Sequence, residues 1–399
     1  MNLNIGSAAQ GVLPSQMIEA AIKNGWIFSN RGDVPIENIQ PASLDLRLGD
    51  VAYRLRCSFL PDDKPVEEKL RRYQMGEIDL RDNGGVLDQN RPYLVPLMEE
   101  LDLPPNVRAK ANPKSSTGRL DVFTRVITDR GFMFDEIKNG YKGRLYLEVV
   151  PRTFTIQVRS GLALNQLRLA IGELGALSDR EIRELHQKTP LLYRNGAIVK
   201  SDQIAVNNGL FLGLHLSKGL RPGYDKKRSL VGYRAKENSE LIDLSRTGSY
   251  WANDFWEEVY AEAGDRIVLH PEKFYLLLSQ DSVMIPPEYA AEMTAYDPTS
   301  GELRTHYAGF FDPGFGCDPM MGRIAGSRAA LEVRAHDVPF AVEHGQNICK
   351  LSFERMLEVP DKRYGRSLDS NYQGQEVALS KHFRRDYHRW SGQADLFQE

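Results

Sequence analysis

Short runs in which apolar and polar residues alternate recur along most of this chain of 399 residues. A period of two is typical of β-strands that bury one face. The runs are residues 42–48, 93–97, 144–149, 154–158, 274–278, 329–333 and 340–342. Gly, Pro, Asn and Asp, which favour turns, separate these runs. Many short strands with few helices predict a mainly β fold, a barrel or a sandwich rather than a doubly wound sheet.

Helical patterns are short and few. Pro14 opens a predicted helix that ends at about Lys23, since proline is favoured at the start of a helix. Ser178 and Glu181 have the spacing of a capping box, which predicts that a second helix begins there. We therefore expect helices to decorate a fold that strands build.

Three segments of the chain occur twice. The pairs are residues 103–106 with 285–288, 112–119 with 297–304, and 147–149 with 331–333. Their offsets stay between 182 and 185 residues, and such a steady spacing indicates two copies of one domain. We predict a first domain at residues 1–175, a helical linker at 176–200, a second domain at 201–360 and a C-terminal lid or tail at 361–399. Residues 218–240, rich in charge and glycine, are predicted to form a surface excursion of the second domain.

Composition limits what the chain binds and where it works. Its hydrophobic content of 41% can fill two cores. A formal net charge of −3 provides no long-range field for a nucleic acid polymer or an anionic membrane. Cys57, Cys317 and Cys349 are an odd and widely spaced set, which fits a reducing compartment. With no secretory signal and no apolar run of membrane-spanning length, we expect a cytoplasmic protein.

The segment Lys114-Ser-Ser-Thr-Gly-Arg119 has the chemistry of a phosphate site. Pro113 ends the preceding strand, so Ser115 and Ser116 stand where a short helix would begin and can offer hydroxyl and backbone N–H groups. Arg119 lies four residues beyond Ser115 and would share its helical face, where a guanidinium suits a polyphosphate. The alternative is an ordinary helix start with a solvated lysine and arginine. The second copy gains Glu302, which disfavours phosphate there.

Glu148 and Glu332 occupy matching positions in the two Leu-Glu-Val segments. In alternating strands these glutamates can simply face solvent. A tight turn around Asp312 precedes Glu332, however, and would form a cleft near it. A carboxylate in a cleft, with a pKa adjusted by burial, is a candidate general base that activates water.

Transition-metal chemistry is not indicated. Zinc-dependent nucleobase deaminases need His-x-Glu and Pro-Cys-x-x-Cys, and the histidines and cysteines of this chain do not have that arrangement. We therefore expect no zinc site. A Gly-x-Ser-x-Gly nucleophile segment is also lacking.

Taken together, these motifs resemble those of the dCTP deaminases, which belong to the trimeric dUTPase-like β-barrel superfamily, and most closely the long, tandem-domain bacterial form. The similar segments are residues 39–49, the phosphate-type segment 114–119, the turn 311–315, the Leu-Glu-Val segments, and Tyr364 with Tyr372-Gln-Gly-Gln375, which is similar to the family's C-terminal lid. The resemblance implies two tandem dUTPase-like barrels of the distorted jelly-roll type. It also implies three-fold packing of domains in a homo-oligomer.

The resemblance further implies zinc-independent deamination of dCTP to dUTP and ammonia. A water activated by the glutamate would attack C4 of cytosine, while Mg²⁺ accompanies the triphosphate. Our hypothesis is one composite site in which each copy supplies a part, with Glu332 as the general base and Glu148 as the competing candidate. The predicted substrate-binding residues are Lys114, Ser115, Ser116, Arg119, Ala308, Asp312, Tyr364, Tyr372 and Gln375.

Two other functions stay open at this point. The chain can be a dUTP diphosphatase, or a bifunctional deaminase that also releases pyrophosphate and forms dUMP, because these activities share the triphosphate motif and the metal. The diverged second copy can instead indicate a non-catalytic nucleotide-binding regulator. The lid-type residues Tyr364 and Tyr372 argue against a pure binder.

Overall fold

A computed structural model describes residues 10–172, 175–217, 229–295, 303–305, 309–317, 326–335, 337–364 and 378–384 of the chain. We call residues 10–172 the first half and the described residues from 175 to 384 the second half. Strands dominate both halves, so the prediction of a mainly β fold is confirmed. Among the residues described, no helix has the length and apolar character needed to cross a membrane.

The first half contains thirteen strands. They are β1 (Gly11–Val12), β2 (Ile27–Ser29), β3 (Leu44–Arg47), β4 (Val51–Leu55), β5 (Gln74–Asp79), β6 (Gly85–Leu87), β7 (Tyr93–Asp102), β8 (Val107–Pro113), β9 (Val122–Thr128), β10 (Glu136–Ile137), β11 (Lys142–Pro151), β12 (Ile156–Val158) and β13 (Ala163–Ile171). One sheet has the order β1-β13-β8-β10, with β3 also on β13. A second has the order β5-β4-β7-β11-β9, with β2 also on β7.

The described part of the second half contains fourteen strands. They are β14 (Leu192–Arg194), β15 (Ala197–Ile198), β16 (Leu210–Gly213), β17 (Leu230–Ala235), β18 (Ile242–Asp243), β19 (Trp256–Tyr260), β20 (Arg266–Leu269), β21 (Phe274–Val283), β22 (Tyr289–Ala295), β23 (Leu303–Thr305), β24 (Gly309–Phe311), β25 (Ser327–Ala335), β26 (Phe340–Glu343) and β27 (Asn347–Arg355). The pairings β7·β11·β9 and β8·β13 of the first half have counterparts in β21·β25·β23 and β22·β27.

The helices in the described ranges are α1 (Ser15–Lys23), α2 (Val66–Tyr73), α3 (Ser115–Gly118), α4 (Asp179–Lys188) and α5 (Ala252–Phe255), with a 3₁₀ turn at Ile36–Asn38. Helix α1 lies where it was predicted. The capping box at α4 is also confirmed, because the Ser178 side chain accepts from the Glu181 backbone N–H while the Glu181 carboxylate accepts from Ser178. Reciprocal capping of this kind satisfies two N–H groups that the first turn leaves open.

Two segment predictions need correction. Residues 192–198, predicted as part of a helical linker, form β14 and β15, and β14 pairs with β21. Residues 230–235, predicted as part of a surface excursion, form β17, a mostly buried strand between β19 and β21. Gly232 serves close packing there, because a Cβ atom would lie 2.5 Å from the Leu276 carbonyl oxygen.

The two halves share apolar packing. One hydrophobic cluster fills the first half and continues into the second through Trp256 and Phe383. Phe154 of the first half meets Trp256 edge-on, with ring centroids 5.3 Å apart. A second cluster lies within the second half. Strand β12 also pairs in parallel with β18, so strand hydrogen bonds and aromatic contacts fix the halves against each other.

Candidate active site

The phosphate-type segment forms a single tight turn at the end of β8. Pro113 ends the strand and α3 begins at Ser115, as predicted. The Arg119 backbone N–H donates to the Ser115 carbonyl oxygen at 3.1 Å, so Arg119 lies one helical turn beyond Ser115. Ser115 is exposed and Ser116 is buried. We call residues 114–119 the phosphate turn.

Cationic groups of the phosphate turn are held in place by neighbours. The Lys114 ammonium forms an ion pair with Asp45 on β3. Arg119 is 3% exposed, and its Nη1 donates to the carbonyl oxygens of Ala378 at 3.2 Å and Leu379 at 3.4 Å. These contacts orient the guanidinium. Residues 378–384 therefore support the phosphate turn.

Glu332 on β25 lies directly against the phosphate turn. A Cβ atom on Gly118 would lie 3.0 Å from Glu332 Oε1, so the glycine permits this close approach. Glu332 is buried, and burial raises the pKa of its carboxyl to about 8, with Asp121 raising it further and Arg119 opposing the rise. A carboxyl with a pKa near neutrality can both accept and return a proton at cellular pH.

Asp312 occupies the turn that follows β24. The Phe315 N–H donates to the Asp312 carbonyl oxygen at 3.1 Å, and Gly314 takes a φ of +90°, a conformation that favours glycine. Burial raises the pKa of the Asp312 carboxyl to about 6, and Arg168 opposes this shift. The Tyr364 N–H donates to the Pro313 carbonyl oxygen at 3.1 Å, which brings Tyr364 beside the same turn.

These elements enclose one cleft that both halves line. Its volume is about 560 Å³ including the open mouth. The first half contributes Pro113, Lys114, Ser115, Gly118 and Arg119, and the second half contributes Met293, Gly309, Phe310, Phe311, Asp312, Phe315, Ala329, Ala330, Glu332 and Tyr364. Cations therefore stand at one side of the cleft, and carboxyls with aromatic rings at the other.

Glu148 has different surroundings from Glu332. It is 0% exposed and does not line the cleft. The Arg125 Nε donates to Glu148 Oε1 at 3.0 Å, while the Arg125 guanidinium lies 3.7 Å from the centre of the Phe134 ring. Glu148 therefore lies away from the cleft, and Arg125 occupies one of its carboxylate oxygens.

The remaining predicted site residues divide into two groups. Ser116 is close to the cleft but buried under the C-terminal segment, and its carbonyl oxygen accepts from the Ser380 hydroxyl at 3.0 Å. Ala308, Tyr372 and Gln375 lie outside the described residues. Within the described ranges, no three His, Cys, Asp or Glu side chains are grouped to hold a metal ion.

Arg168 was not predicted from the sequence. It is 2% exposed on β13, its guanidinium lies 3.9 Å from the centre of the Phe310 ring, and its Nη2 is 3.8 Å from Asp312 Oδ1. It thus supports two cleft residues of the other half from behind. The only sequence signal was an arginine flanked by Leu167 and Leu169 in an apolar strand, where a charge needs a partner.

Both halves of this chain are similar to known proteins. Residues 9–173 match the family described as 2'-deoxycytidine 5'-triphosphate deaminase (DCD) N-terminal domain, and residues 178–383 match the C-terminal domain of the same enzyme. The structure is similar to a crystal structure of 2'-deoxycytidine 5'-triphosphate deaminase from Agrobacterium tumefaciens. That likeness has a TM-score of 0.79 and 44% sequence identity, and covers 87% of this chain and 99% of that one.

Shorter curated relatives match part of the chain. The dCTP deaminase of Natronomonas pharaonis is 31% identical over 142 residues, which are 35% of this chain and 68% of the relative. The "dCTP deaminase, dUMP-forming" of Coprothermobacter proteolyticus is 32% identical over 124 residues, which are 30% of this chain and 60% of that relative. A third, from Halobacterium salinarum and with the same description, is 28% identical over 138 residues, 34% of this chain and 65% of the relative.

Proposed function

This chain is an enzyme of the dCTP deaminase family, and we propose that it hydrolyses dCTP to dUTP and ammonia in the cleft between its halves. One observation carries the proposal. The cleft joins the cationic phosphate turn of the first half to the buried carboxyl of Glu332 in the second. A nucleoside triphosphate has the matching polarity, with anionic phosphates at one end and a base that needs a proton-transferring group at the other.

Glu332 is the proposed general base. Its carboxylate removes a proton from a water molecule, whose oxygen forms a bond to C4 of cytosine. The resulting Glu332 carboxylic acid gives this proton to N3. Its carboxylate then takes the remaining proton from the new C4 hydroxyl and transfers it to the exocyclic amine, so that the C4–N4 bond breaks, the C4 carbonyl forms and ammonia leaves. The raised pKa of about 8 supports this double role, because neither form of the carboxyl is too stable to react near neutral pH.

Lys114, Ser115 and Arg119 are proposed to bind the triphosphate through charge and hydrogen bonds. Mg²⁺ would be held mainly by the phosphate oxygens, where it would neutralise adjacent charges. The residues present fit this arrangement, since the buried Asp45 beside Lys114 has an oxygen, Oδ1, without a hydrogen-bond partner among the described residues. Asp312, Phe310 and Tyr364 would surround the base and sugar.

We further propose that the two halves are dUTPase-like barrels of the distorted jelly-roll type, with three-fold packing of such domains in a homo-oligomer. The recurrence of the same strand pairings in both halves supports a duplicated domain. Domain limits of 1–175 and 201–360, with a lid from 361, stay a prediction. The strands β14 and β15 indicate that the second domain begins before residue 201.

A second candidate product is dUMP with pyrophosphate. Several curated relatives are described as dUMP-forming dCTP deaminases. That activity would use the same general base and the same contacts to the triphosphate. The two activities differ at the α-phosphate, where a second water must attack. Product analysis separates them directly.

The test is to incubate the purified protein with dCTP and Mg²⁺ and to measure ammonia, dUTP, dUMP and pyrophosphate. Equal amounts of ammonia and dUTP are expected for the deaminase. Equal amounts of ammonia, dUMP and pyrophosphate would establish the bifunctional enzyme. If dCTP is bound and not consumed, the deaminase proposal fails and the nucleotide-binding regulator gains support.

A further inference from the structure

A buried ion pair joins the two halves beside the cleft. Asp121, two residues after Arg119, is 0% exposed, and Arg334, two residues after Glu332, is 5% exposed. Arg334 Nη2 donates to Asp121 Oδ2. Neither residue lines the cleft, so their contact is available whether or not a nucleotide is bound.

The pair is fixed on both sides. The Thr153 hydroxyl also donates to Asp121 Oδ2, and Arg334 Nη2 lies 3.2 Å from Thr153 Oγ1. Arg334 Nη1 donates to the Glu272 carbonyl oxygen. Asp121 takes a φ of +55°, a conformation that Asp tolerates better than most residues with a side chain.

The geometry makes two parallel contacts between the halves. Residues 332 and 334 lie on the same face of β25, because side chains alternate along a strand. Residues 119 and 121 lie on the turn that faces it. One is the close approach of Gly118 to Glu332, next to Arg119, and the other is the ion pair that joins Asp121 to Arg334. The first must accommodate a nucleotide, whereas the second needs no substrate.

We infer that Asp121 and Arg334 are a positioning pair, which holds the phosphate turn against the strand that carries Glu332 and thereby sets the distance between triphosphate binding and base chemistry. This inference rests on the proposed role of Glu332. Neither residue touches the reacting atoms. A displacement of about 1 Å between groups that bind and groups that react can cost about 100-fold in rate.

The pair also sets the electrostatic surroundings of Glu332. The charged and titratable groups facing or flanking this carboxyl are Arg119 and Asp121 from the first half, Cys349 from β27, Arg334 on its own strand, and Lys114 and Asp312 across the cleft. Asp121 raises the pKa of Glu332, and Arg334 neutralises Asp121. Removing the two partners one at a time should therefore change this pKa in opposite directions.

The experiment compares Asp121→Asn with Arg334→Gln. Asparagine keeps the size of the side chain and tolerates the positive φ, while it removes the charge. In the pH profile of kcat/KM, the apparent pKa of the acid limb, assigned to Glu332, should fall by about half a pH unit or more in Asp121→Asn. It should rise by a similar amount in Arg334→Gln. Unchanged profiles in both variants would overturn the inference.

A third variant separates position from charge. Arg334→Lys keeps the charge and loses the planar fork, so kcat should fall at least about fivefold while the acid limb stays in place. It is also the variant that best preserves the fold, should either neutral variant fail to fold. Wild-type kinetics in Arg334→Lys would count against a positioning role.

Glu99→Gln is the matched control. Glu99 is 0% exposed and paired with Arg47 at 2.6 Å within the first half, away from the residues that line the cleft. Its neutralisation should leave the acid limb unmoved. The same shift in this variant would mean that any buried charge change moves the profile, and the inference would be lost.

The pair can be tested apart from the proposed activity. Unfolding is measured for the wild type, Asp121→Asn and Arg334→Gln, each with and without Glu332→Gln. The pH range over which Glu332→Gln changes stability then reports the pKa of Glu332 without any substrate. Opposite shifts of this pH range in Asp121→Asn and Arg334→Gln would support the pair even if dCTP were not consumed. Turnover of dCTP with no shift in either variant would retain the proposed function and reject the pair.

Discussion

Glu332 and Glu148 have the same neighbours in sequence and opposite surroundings in space. Both stand in Leu-Glu-Val on a central strand. Glu148 is held by the Arg125 guanidinium, whereas Glu332 lies on the backbone of Gly118 at the cleft. Burial of Glu332 at the cleft raises the pKa of its carboxyl to about 8. The proposed choice of Glu332 as the general base therefore rests on its surroundings rather than on its motif.

Substitution of these two glutamates should separate their roles. Glu332→Gln should lower kcat by about 100- to 10,000-fold, the usual contribution of a general base, while the KM for dCTP changes little. Glu148→Gln, the matched control, should keep kcat and lose about 3 kcal/mol of stability because Arg125 loses its carboxylate partner. Steady-state kinetics and urea unfolding of both variants measure this. Inactive Glu148→Gln with active Glu332→Gln would reverse the assignment.

The raised pKa of Glu332 predicts how stability depends on pH. The folded-state pKa of about 8 lies above the ordinary value of 4.5. Between these values the folded protein holds a proton that the unfolded chain has released, so stability falls as pH rises through the window. Glu332→Gln removes this loss. Its stability relative to the unsubstituted protein should rise by about 1.4 kcal/mol per pH unit across much of the window.

This prediction is checked by urea unfolding from pH 5 to pH 9 without nucleotide. The pKa of Asp312 is raised to about 6, so this carboxyl also makes stability fall as pH rises, at a lower pH. It is present both in the unsubstituted protein and in Glu332→Gln. The difference between the two curves therefore isolates Glu332. A constant difference across the whole range would show that the folded carboxyl titrates normally.

At the scale of elements, the alternating runs predicted seven of the described strands, which are β3, β7, β11, β12, β21, β25 and β26. They did not predict β17. In the sequence Gly232 indicates a loop, whereas in the sheet it allows close contact with the Leu276 carbonyl oxygen. Helix α2 was also missed, despite Pro65 before it and Glu67 and Glu68 in its first turn. Glycine and charge describe a local composition and do not reveal what packs against it.

The candidate site shows a similar division. The phosphate turn was predicted because its chemistry is local in sequence. The support of Phe310 by Arg168 joins strands of different halves, so no local pattern could indicate it. The same holds for the carbonyl oxygens of residues 378 and 379 on Arg119. Contacts between distant segments depend on the packing of the whole fold.

Residues 378–384 form an element whose loss should weaken triphosphate binding. Phe383 is 2% exposed and packs edge-on against Phe255, with ring centroids 5.6 Å apart. Phe383→Ala should cost about 3 kcal/mol and release the carbonyl contacts that orient Arg119, so the KM for dCTP should rise at least about tenfold. Phe353→Ala, a fully buried phenylalanine of β27 that does not line the cleft, is the control.

Both variants are compared by thermal unfolding and steady-state kinetics at a temperature where each is folded. Similar losses of stability with a higher KM in Phe383→Ala alone would locate the effect in the anchor of Arg119. Equal KM values in the two variants would show that residues 378–384 serve stability and not substrate binding.

At the scale of the whole molecule, the cleft joins Arg119 and Glu332 of the same chain. The proposed duplication of a domain would make this possible, because a contact that separate subunits would otherwise share could form within one polypeptide. Specialisation can follow, since each copy then needs only its own part of the site. The buried pair Asp121–Arg334 and the apolar contacts of Trp256 hold these parts together.

This arrangement predicts that inactive chains cannot complement each other. Arg119→Ala removes the proposed phosphate contact of the first half, and Glu332→Gln removes the proposed base of the second. In an oligomer assembled from both variants by co-expression under two affinity tags, every cleft keeps one defect if it is built within a chain. Doubly tagged oligomers should therefore show no more activity than the two variants measured apart. If the cleft were completed by a neighbouring chain, some clefts would combine an intact Arg119 with an intact Glu332, and a substantial fraction of activity would return.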